Sequence, residues 1–190
     1  VKDPLREEAS AVIEGLRKLG ITKLVMMTGD NEKTARAVAQ AVGVDEYRAE
    51  VLPEDKAAFV RSEHALGRKV IMLGDGVNDS PALSEADVGI AISDGAAIAR
   101  EVADITVAAD DLNALLTLKE LSDALMRRIH GNYRAIIGFN FMLICLGVAG
   151  VLPLAASALL HNTSTLLISL HSMTDLLPRQ EALPQQPVEQ

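Results

Sequence analysis

The sequence has a single cysteine, no excess of positive charge and one long stretch without any charged side chain. A lone cysteine excludes an internal disulfide. The formal net charge of −8 argues against nucleic acid as the main partner, because a phosphate backbone requires a basic surface. No Lys, Arg, Asp or Glu occurs from residue 135 to residue 174, whereas both signs of charge are frequent before it. The chain therefore divides into a charged part and an apolar part.

Helix-like and strand-like patterns alternate through the charged part. The strand-like segments are almost wholly apolar, which is typical of a parallel sheet covered by helices on both faces. We therefore predict an α/β fold. The predicted strands are 22–27, 47–51, 69–73, 88–92 and 105–107, and the predicted helices are 6–19, 31–42, 53–66, 81–85 and 96–102.

The loop after the third predicted strand carries the clearest chemical signal. It reads Gly74-Asp75-Gly76-Val77-Asn78-Asp79, and its glycines allow a sharp turn and a close approach to a ligand. Open α/β sheets bind ligands at the carboxyl ends of their strands. Mg²⁺ prefers one or two carboxylates together with phosphate oxygens, so Asp75 and Asp79 are candidate magnesium ligands. A polar loop with acidic helix caps is the alternative interpretation.

Two further segments indicate a phosphate site. Thr28-Gly29-Asp30 follows the first predicted strand, where hydroxyl and backbone N–H groups can hold phosphoryl oxygens. Pro53 suits the first turn of a helix, which places Lys56 near the amino end of that helix. An ammonium group there can neutralise a transferring phosphoryl group. Taken alone, Lys56 is better interpreted as a solvated surface lysine.

Together these segments resemble the cation-transporting P-type ATPases, whose phosphorylation domain has a haloacid-dehalogenase-like fold. The resemblance extends from residue 1 to about residue 177. The matching segments are Asp3-Pro4-Leu5-Arg6, Thr28-Gly29-Asp30, Pro53-Glu54-Asp55-Lys56, Gly74 to Leu83 and Ala86 to Ile92.

The resemblance implies a role for each matched residue. Asp75 would hold Mg²⁺ with support from Asp79, and Thr28 and Lys56 would contact the phosphoryl group. Asp3 would lie at the hinge to a nucleotide-binding domain that holds most of the ATP. The loop residues implied to share the site are Gly29, Asp30, Gly74, Gly76 and Asn78.

The chain also departs from the family pattern. These pumps form a phosphoaspartate on an Asp-Lys-Thr-Gly-Thr motif, which does not occur in this sequence. The amino-terminal membrane helices, the actuator domain and the nucleotide-binding domain have no counterpart here. We therefore expect a carboxy-terminal part of a longer pump, whose remaining domains are its partners. Covalent phosphoryl transfer needs its nucleophile, so we expect this chain alone not to hydrolyse ATP.

The apolar part predicts two membrane spans, 135–152 and 154–173, each near the roughly twenty residues that cross a bilayer. The basic residues lie outside both spans, which places both ends in the cytoplasm. The predicted organisation is a partial phosphorylation domain (1–110), a connecting helix (111–131), a two-helix transmembrane hairpin (132–177) and a disordered tail (178–190). The expected location is a multi-pass protein of a bacterial plasma membrane. A buried helical hairpin of a soluble protein is the alternative.

Polar residues interrupt both predicted spans. His161-Asn162-Thr163-Ser164-Thr165 lies within the second span, and Asn140 lies at a similar depth in the first. Polar groups in a bilayer need partners, which hydrogen bonds between helices can supply. The other interpretation is an ion pathway, because imidazole, amide and hydroxyl groups suit a transition metal. The candidate ligands for a transported ion are Asn140, His161, Thr163 and Ser164.

Comparison of these residues with the motifs of the heavy-metal pumps favours the interpretation as an ion pathway. Phe139-Asn140 is similar to their aromatic-Asn pair, and the copper subgroup has a methionine and paired serines where this chain has His161 and Thr163-Ser164. The resemblance therefore implies a divalent ion such as cobalt, zinc or iron, although the identity of the ion stays open. Two other functions remain as alternatives: a membrane-anchored phosphatase of the same fold, and an inactive, truncated partner of a complete pump.

Overall fold

The computed structural model describes residues 9–75, 78–92, 101–108 and 111–177. Two compact units divide between Lys119 and Glu120. The described helices and strands, in chain order, are α1 (Ala9–Lys18), β1 (Val25–Met27), α2 (Glu32–Val42), β2 (Glu46–Arg48), α3 (Pro53–Ala65), β3 (Ile71–Gly74), α4 (Ser80–Glu85), β4 (Val88–Ile92), β5 (Ile105–Val107), α5 (Ala114–Val148) and α6 (Leu154–Ser172).

All strand pairs of the first unit are parallel, as predicted, but the sheet consists of two blocks. In one block β1 pairs with β2, with Val25 opposite Glu46. In the other block β4 lies between β3 and β5, with Ile71 opposite Val88. The predicted parallel sheet is confirmed in its strand direction, and among the described residues it is divided into two blocks, in which β1 and β3 each have a single strand neighbour.

Helices α3 and α4 form a shared layer over both blocks. Val60, Met72 and Leu83 are buried in one cluster, and Met27 of β1 packs against it. A second cluster joins α1 to β4, β5 and the start of α5 through Val12, Ile90, Val107 and Leu115.

Among the described residues, the face of β3 opposite α3 is less covered than expected for a sheet with helices on both faces. Ile71 and Leu73 remain 50% and 39% exposed. The reason is that the second buried cluster packs against β4 and β5 and does not extend over β3.

Local signals account for most element boundaries. Asn31 caps α2 by accepting a hydrogen bond from Thr34 N, and Gly43 ends the helix in the left-handed conformation. The second strand is shorter than predicted and begins one residue earlier, at Glu46. It ends before Glu50, whose φ of 55° turns the chain out of the strand. Most of the predicted helix 96–102, the start of the first helix and the predicted tail lie outside the described residues.

Helix α5 contains 35 residues without interruption. The predicted connecting helix (111–131) and the first predicted span are therefore parts of one helix. The sequence between them, Asn132-Tyr133-Arg134, contains neither proline nor glycine to end a helix. Asp111 accepts a hydrogen bond from Ala114 N at 3.2 Å and so caps the helix start.

Of the described helices, only α5 is long and apolar enough to cross a membrane. Helix α6 follows Pro153 and matches the predicted second span closely, from Leu154 to Ser172. Its apolar character is reduced by His161 and Asn162 near its middle. A membrane crossing by α6 therefore stays a prediction.

Candidate functional site

The loops after β1 and β3 lie at the carboxyl ends of their strands, where the sequence predicted the phosphate site. Thr28 follows β1 directly, and its Oγ1 accepts a hydrogen bond from Asp30 N at 3.1 Å. The same hydroxyl donates to Asp30 Oδ2, also at 3.1 Å. This small turn holds the hydroxyl beside the backbone N–H groups that follow the strand.

Backbone hydrogen bonds hold the Thr28 loop against the segment that leads into α3. Thr28 N donates to Arg48 O and Val51 N donates to Thr28 O, both at 3.0 Å. Glu50 N donates to Asp30 O at 2.9 Å, which its left-handed backbone permits. The first turn of α3, which contains Lys56, therefore begins close to the Thr28 loop.

Lys56 forms a short ion pair with Asp79. Lys56 Nζ lies 2.6 Å from Asp79 Oδ1, and the two side chains are only 14% and 11% exposed. The interpretation of Lys56 as a solvated surface residue is therefore wrong. Because α3 lies between β2 and β3 in the chain, this contact connects the start of α3 to the loop after β3.

Gly74 allows Asp79 to reach this position. A Cβ built at Gly74 would lie 2.6 Å from the Cβ of Asp79, closer than real Cβ contacts permit. The glycine at the end of β3 is therefore required by packing as well as by the turn. Asp79 also stands at the start of α4, where its carbonyl accepts from Leu83 N at 2.8 Å.

Asp75 differs from Asp79 in its exposure. Its side chain is exposed and accepts a hydrogen bond from Asn78 N at 3.2 Å, whereas Asp79 is buried. An exposed carboxylate beside glycine backbone suits Mg²⁺, which retains several waters and takes one or two protein carboxylates. No group of three or more His, Cys, Asp or Glu side chains forms a metal cluster in the described part of the chain. The residues present therefore fit a magnesium ion completed by water and phosphate oxygens.

The structure places most predicted site residues at this end of the first unit, but in separate contacts. Lys56 joins Asp79, and Asp75 joins Asn78. Among the described residues, Thr28 makes no hydrogen bond to Lys56. Asp3, which was expected at the hinge to a nucleotide-binding domain, and Gly76, which was expected in the phosphate loop, lie outside the described residues.

The second predicted site is the one for a transported ion. Of its four candidate ligands, Asn140, His161, Thr163 and Ser164, the structure brings two into contact. His161 Nδ1 lies 2.8 Å from Asn140 Oδ1. The Ser164 hydroxyl donates to His161 O at 2.8 Å, so it bonds within its own helix. Thr163 is exposed and lies about 200° around α6 from His161.

One set of contacts between α5 and α6 did not follow from the sequence analysis. Arg128 donates to the carbonyls of Ser172, Thr174 and Asp175, which lie at and beyond the end of α6. Asn132 Nδ2 donates to Ser172 Oγ at 2.7 Å. A usable signal was present in the sequence, since Arg128 and Asn132 are four residues apart and so share one face of α5.

Comparison with known proteins and structures identifies the fold of the first unit. Residues 1–87 match the family described as haloacid dehalogenase-like hydrolase. A crystal structure of a zinc-transporting PIB-type ATPase in the E2.Pi state is similar with a TM-score of 0.82 and 33% identity, covering 90% of this chain and 28% of that one. The first unit is therefore a haloacid-dehalogenase-like domain.

The sequence relatives place the chain more narrowly. It is 43% identical over 173 residues to the manganese-exporting P-type ATPase of Mycobacterium leprae (strain TN), covering 90% of this chain and 24% of the relative. It is also 43% identical over 181 residues to the copper-transporting P-type ATPase of Rhizobium leguminosarum bv. viciae, covering 89% and 21%. The chain belongs to the heavy-metal P-type ATPases, and it spans about a quarter of the length of these relatives.

Proposed function

We propose that this chain is the part of an ATP-driven heavy-metal pump that holds Mg²⁺ and the phosphoryl group and that contributes to the ion pathway. The observation that carries the proposal is the Lys56–Asp79 ion pair beside the Gly74-Asp75 turn. This arrangement puts one ammonium group and two carboxylates at the start of α3 and the end of β3, in a chain whose relatives are P-type ATPases.

Each residue then has a chemical role in the intact pump. Mg²⁺ bound at Asp75 would offset negative charge on the transferring phosphoryl group. Lys56 adds a second positive charge and is held in place by Asp79, while Thr28 and the adjacent N–H groups orient phosphoryl oxygens. The aspartate that accepts the phosphoryl group belongs to another part of the pump.

The two sheet blocks suggest where that other part binds. β1 and β3 each have an open edge among the described residues, and both blocks pack against the same helical layer through Met27 and Met72. We propose that a strand from the remainder of the pump pairs between β1 and β3. Its carboxyl end would then lie between Thr28 and Asp75, which is where a phosphorylated aspartate must be.

The membrane part of the proposal concerns α5 and α6. Both helices are proposed to cross the membrane as a hairpin with both ends in the cytoplasm, in a multi-pass protein of a bacterial plasma membrane. Asn140, His161, Thr163 and Ser164 are proposed to line the pathway of a divalent transition metal ion. The named relatives and structural neighbour handle manganese, copper and zinc, so family membership alone leaves the ion open.

The magnesium assignment is tested with Asp75→Ala in the complete pump. We expect phosphoenzyme formation from labelled ATP to fall by at least about 100-fold, because charge on the phosphoryl group is no longer offset. Glu120→Ala removes another exposed carboxylate, outside the proposed site, and is expected to leave phosphorylation unchanged. Wild-type phosphorylation of Asp75→Ala contradicts the proposed role.

A further inference from the structure

The contact between Asn140 and His161 determines which nitrogen of the imidazole is available to a ligand. His161 Nδ1 lies 2.8 Å from Asn140 Oδ1. An amide oxygen can only accept a hydrogen bond, so the hydrogen must be carried by Nδ1. A neutral imidazole protonated at Nδ1 has its lone pair at Nε2, the nitrogen farther from the main chain.

We propose that His161 binds the transported ion through Nε2 and that Asn140 is a positioning residue rather than a ligand. This inference rests on the proposed pump function. Histidines that bind metals commonly donate their other N–H to an oxygen acceptor, which orients the ring and raises the basicity of the binding nitrogen. Asn140 occupies the position of that acceptor.

The neighbouring hydroxyls are bonded within α6 and do not hydrogen-bond to the imidazole ring. Ser164 Oγ and Thr165 Oγ1 both donate to His161 O, at 2.8 and 3.0 Å. These bonds hold the backbone of the histidine from the following turn of α6. Two sets of contacts therefore orient His161: the amide from α5 on its ring and the hydroxyls on its carbonyl.

The rest of the coordination must come from elsewhere in the pump. Within the described residues no three His, Cys, Asp or Glu side chains come together around His161. One imidazole nitrogen does not retain a divalent transition metal by itself, because such sites take several ligands. The site predicted here is thus shared between α6 and helices that are not part of this chain.

The test uses the complete pump in lipid nanodiscs with Zn²⁺ as the probe. Asn140→Leu removes the acceptor and preserves the number and branching of the side-chain heavy atoms, and Asn140→Asp preserves an acceptor oxygen. Asn162→Leu is the matched control, because Asn162 is adjacent to His161 and makes no hydrogen bond among the described residues. Each variant is assayed for Zn²⁺-stimulated ATP hydrolysis, for phosphorylation by inorganic phosphate and for the ligand number of bound Zn²⁺ by X-ray absorption.

A positioning role predicts a specific combination of results. Asn140→Leu should raise the Zn²⁺ concentration for half-maximal activity by about 10–100-fold while the maximal rate and the ligand number stay at wild-type values. Asn140→Asp should return the half-maximal concentration toward wild type, and Asn162→Leu should leave it unchanged. A lost oxygen ligand in Asn140→Leu, or an unchanged half-maximal concentration, overturns the inference.

The tautomer supplies an independent readout in the metal-free pump. Nitrogen NMR of labelled histidine, with the His161 signal assigned by its loss in His161→Gln, is expected to show the hydrogen on Nδ1. A hydrogen on Nε2 overturns the inference. Failure of the proposed pump function can be distinguished from failure of this inference. In that case the wild-type protein would show neither phosphorylation nor turnover stimulated by any transition metal.

Discussion

At the residue scale, the Lys56–Asp79 pair is both a structural contact and part of the proposed phosphate site. Both side chains are largely withdrawn from water, so each charge depends on the other for compensation. Removal of one partner leaves a poorly solvated charge, whereas removal of both leaves none. Stability and catalysis can therefore be separated by comparing single and double variants.

We predict that Asp79→Asn lowers the free energy of unfolding by about 3 kcal/mol, because it leaves Lys56 unpaired. The double variant Lys56→Met with Asp79→Leu should recover most of that stability and yet fail to form phosphoenzyme. Denaturant unfolding and phosphorylation of the complete pump measure the two effects. Glu14→Gln, which breaks the exposed Lys18–Glu14 pair, serves as the control and should change neither. A phosphorylated double variant would show that the pair acts in folding alone.

Asp87 presents a different electrostatic case, outside the proposed phosphate site. The Lys69 ammonium at 2.7 Å, the Val70 N–H and His64 together hold the pKa of the Asp87 carboxyl at about 2. A carboxyl whose pKa is lower in the folded state stabilises the protein above its unfolded pKa, near 4. That contribution is lost as the pH falls from about 4 to about 2.

We therefore predict that Asp87→Asn is less stable than wild type at neutral pH and that the difference disappears near pH 2. Thermal unfolding midpoints between pH 2 and pH 7 measure this dependence. Glu54→Gln, at an exposed position in the first turn of α3, should retain the wild-type profile. A constant difference between Asp87→Asn and wild type across this range would exclude the charge as its cause.

At the element scale, the sequence predicted best where a local signal sets a boundary. Helices α2 and α3 agree with prediction within one residue, because Asn31, Gly43 and Pro53 act on the backbone next to them. Strands β4 and β5 agree in full, since they are short apolar runs between polar residues. The division of the sheet into two blocks could not be predicted, because strand pairing depends on segments far apart in the chain.

In the candidate site, too, features set by neighbouring residues were predicted, whereas contacts between residues far apart in the chain were not. The Thr28 turn and the Asp75 loop were predicted at the strand ends because each lies within a few residues of its strand. The direct contact between Lys56 and Asp79 was not predicted, since no spacing rule connects residues 23 positions apart. The connecting helix and the first predicted span were distinguished by the change from charged to apolar residues, and α5 continues through this change without interruption.

The open edges of β1 and β3 lead to a prediction about hydrogen exchange. Thr28 N and Val70 O point toward β2 and β4, so the alternating backbone directs the N–H groups of Val25, Met27, Ile71 and Leu73 to the open edges. These four amides should exchange quickly in the isolated chain and become protected in the complete pump, where the proposed strand pairs with them. Amide exchange followed by mass spectrometry or NMR measures the difference.

Met26 and Met72 are the internal controls for this experiment, since their amides point to strands already present and should be protected in both proteins. Equal exchange of the four edge amides in the chain and in the pump would place the missing strand elsewhere.

At the scale of the whole molecule, α5 is the element that contains residues of both compact units. It begins at Ala114, within the unit that ends at Lys119, and continues through the second unit to Val148. Within the second unit it carries Arg128, Asn132 and Asn140, whose side chains contact α6 or the residues just after it. We propose that α5 is the route by which a change at the phosphate site reaches the proposed ion site.

We predict that Met126→Pro uncouples the two sites. Proline within a helix removes a backbone hydrogen bond and clashes with the preceding turn, at a cost of about 3 kcal/mol, so the helix should kink near residue 126. Phosphorylation by inorganic phosphate should persist, because the residues of the phosphate site are unchanged, while stimulation of ATP hydrolysis by Zn²⁺ is lost. Met126→Ala, which shortens the same exposed side chain and preserves the helix, should retain metal stimulation. Undiminished metal stimulation of Met126→Pro would mean that the signal passes through other segments of the pump, and α5 would then be only a physical connection.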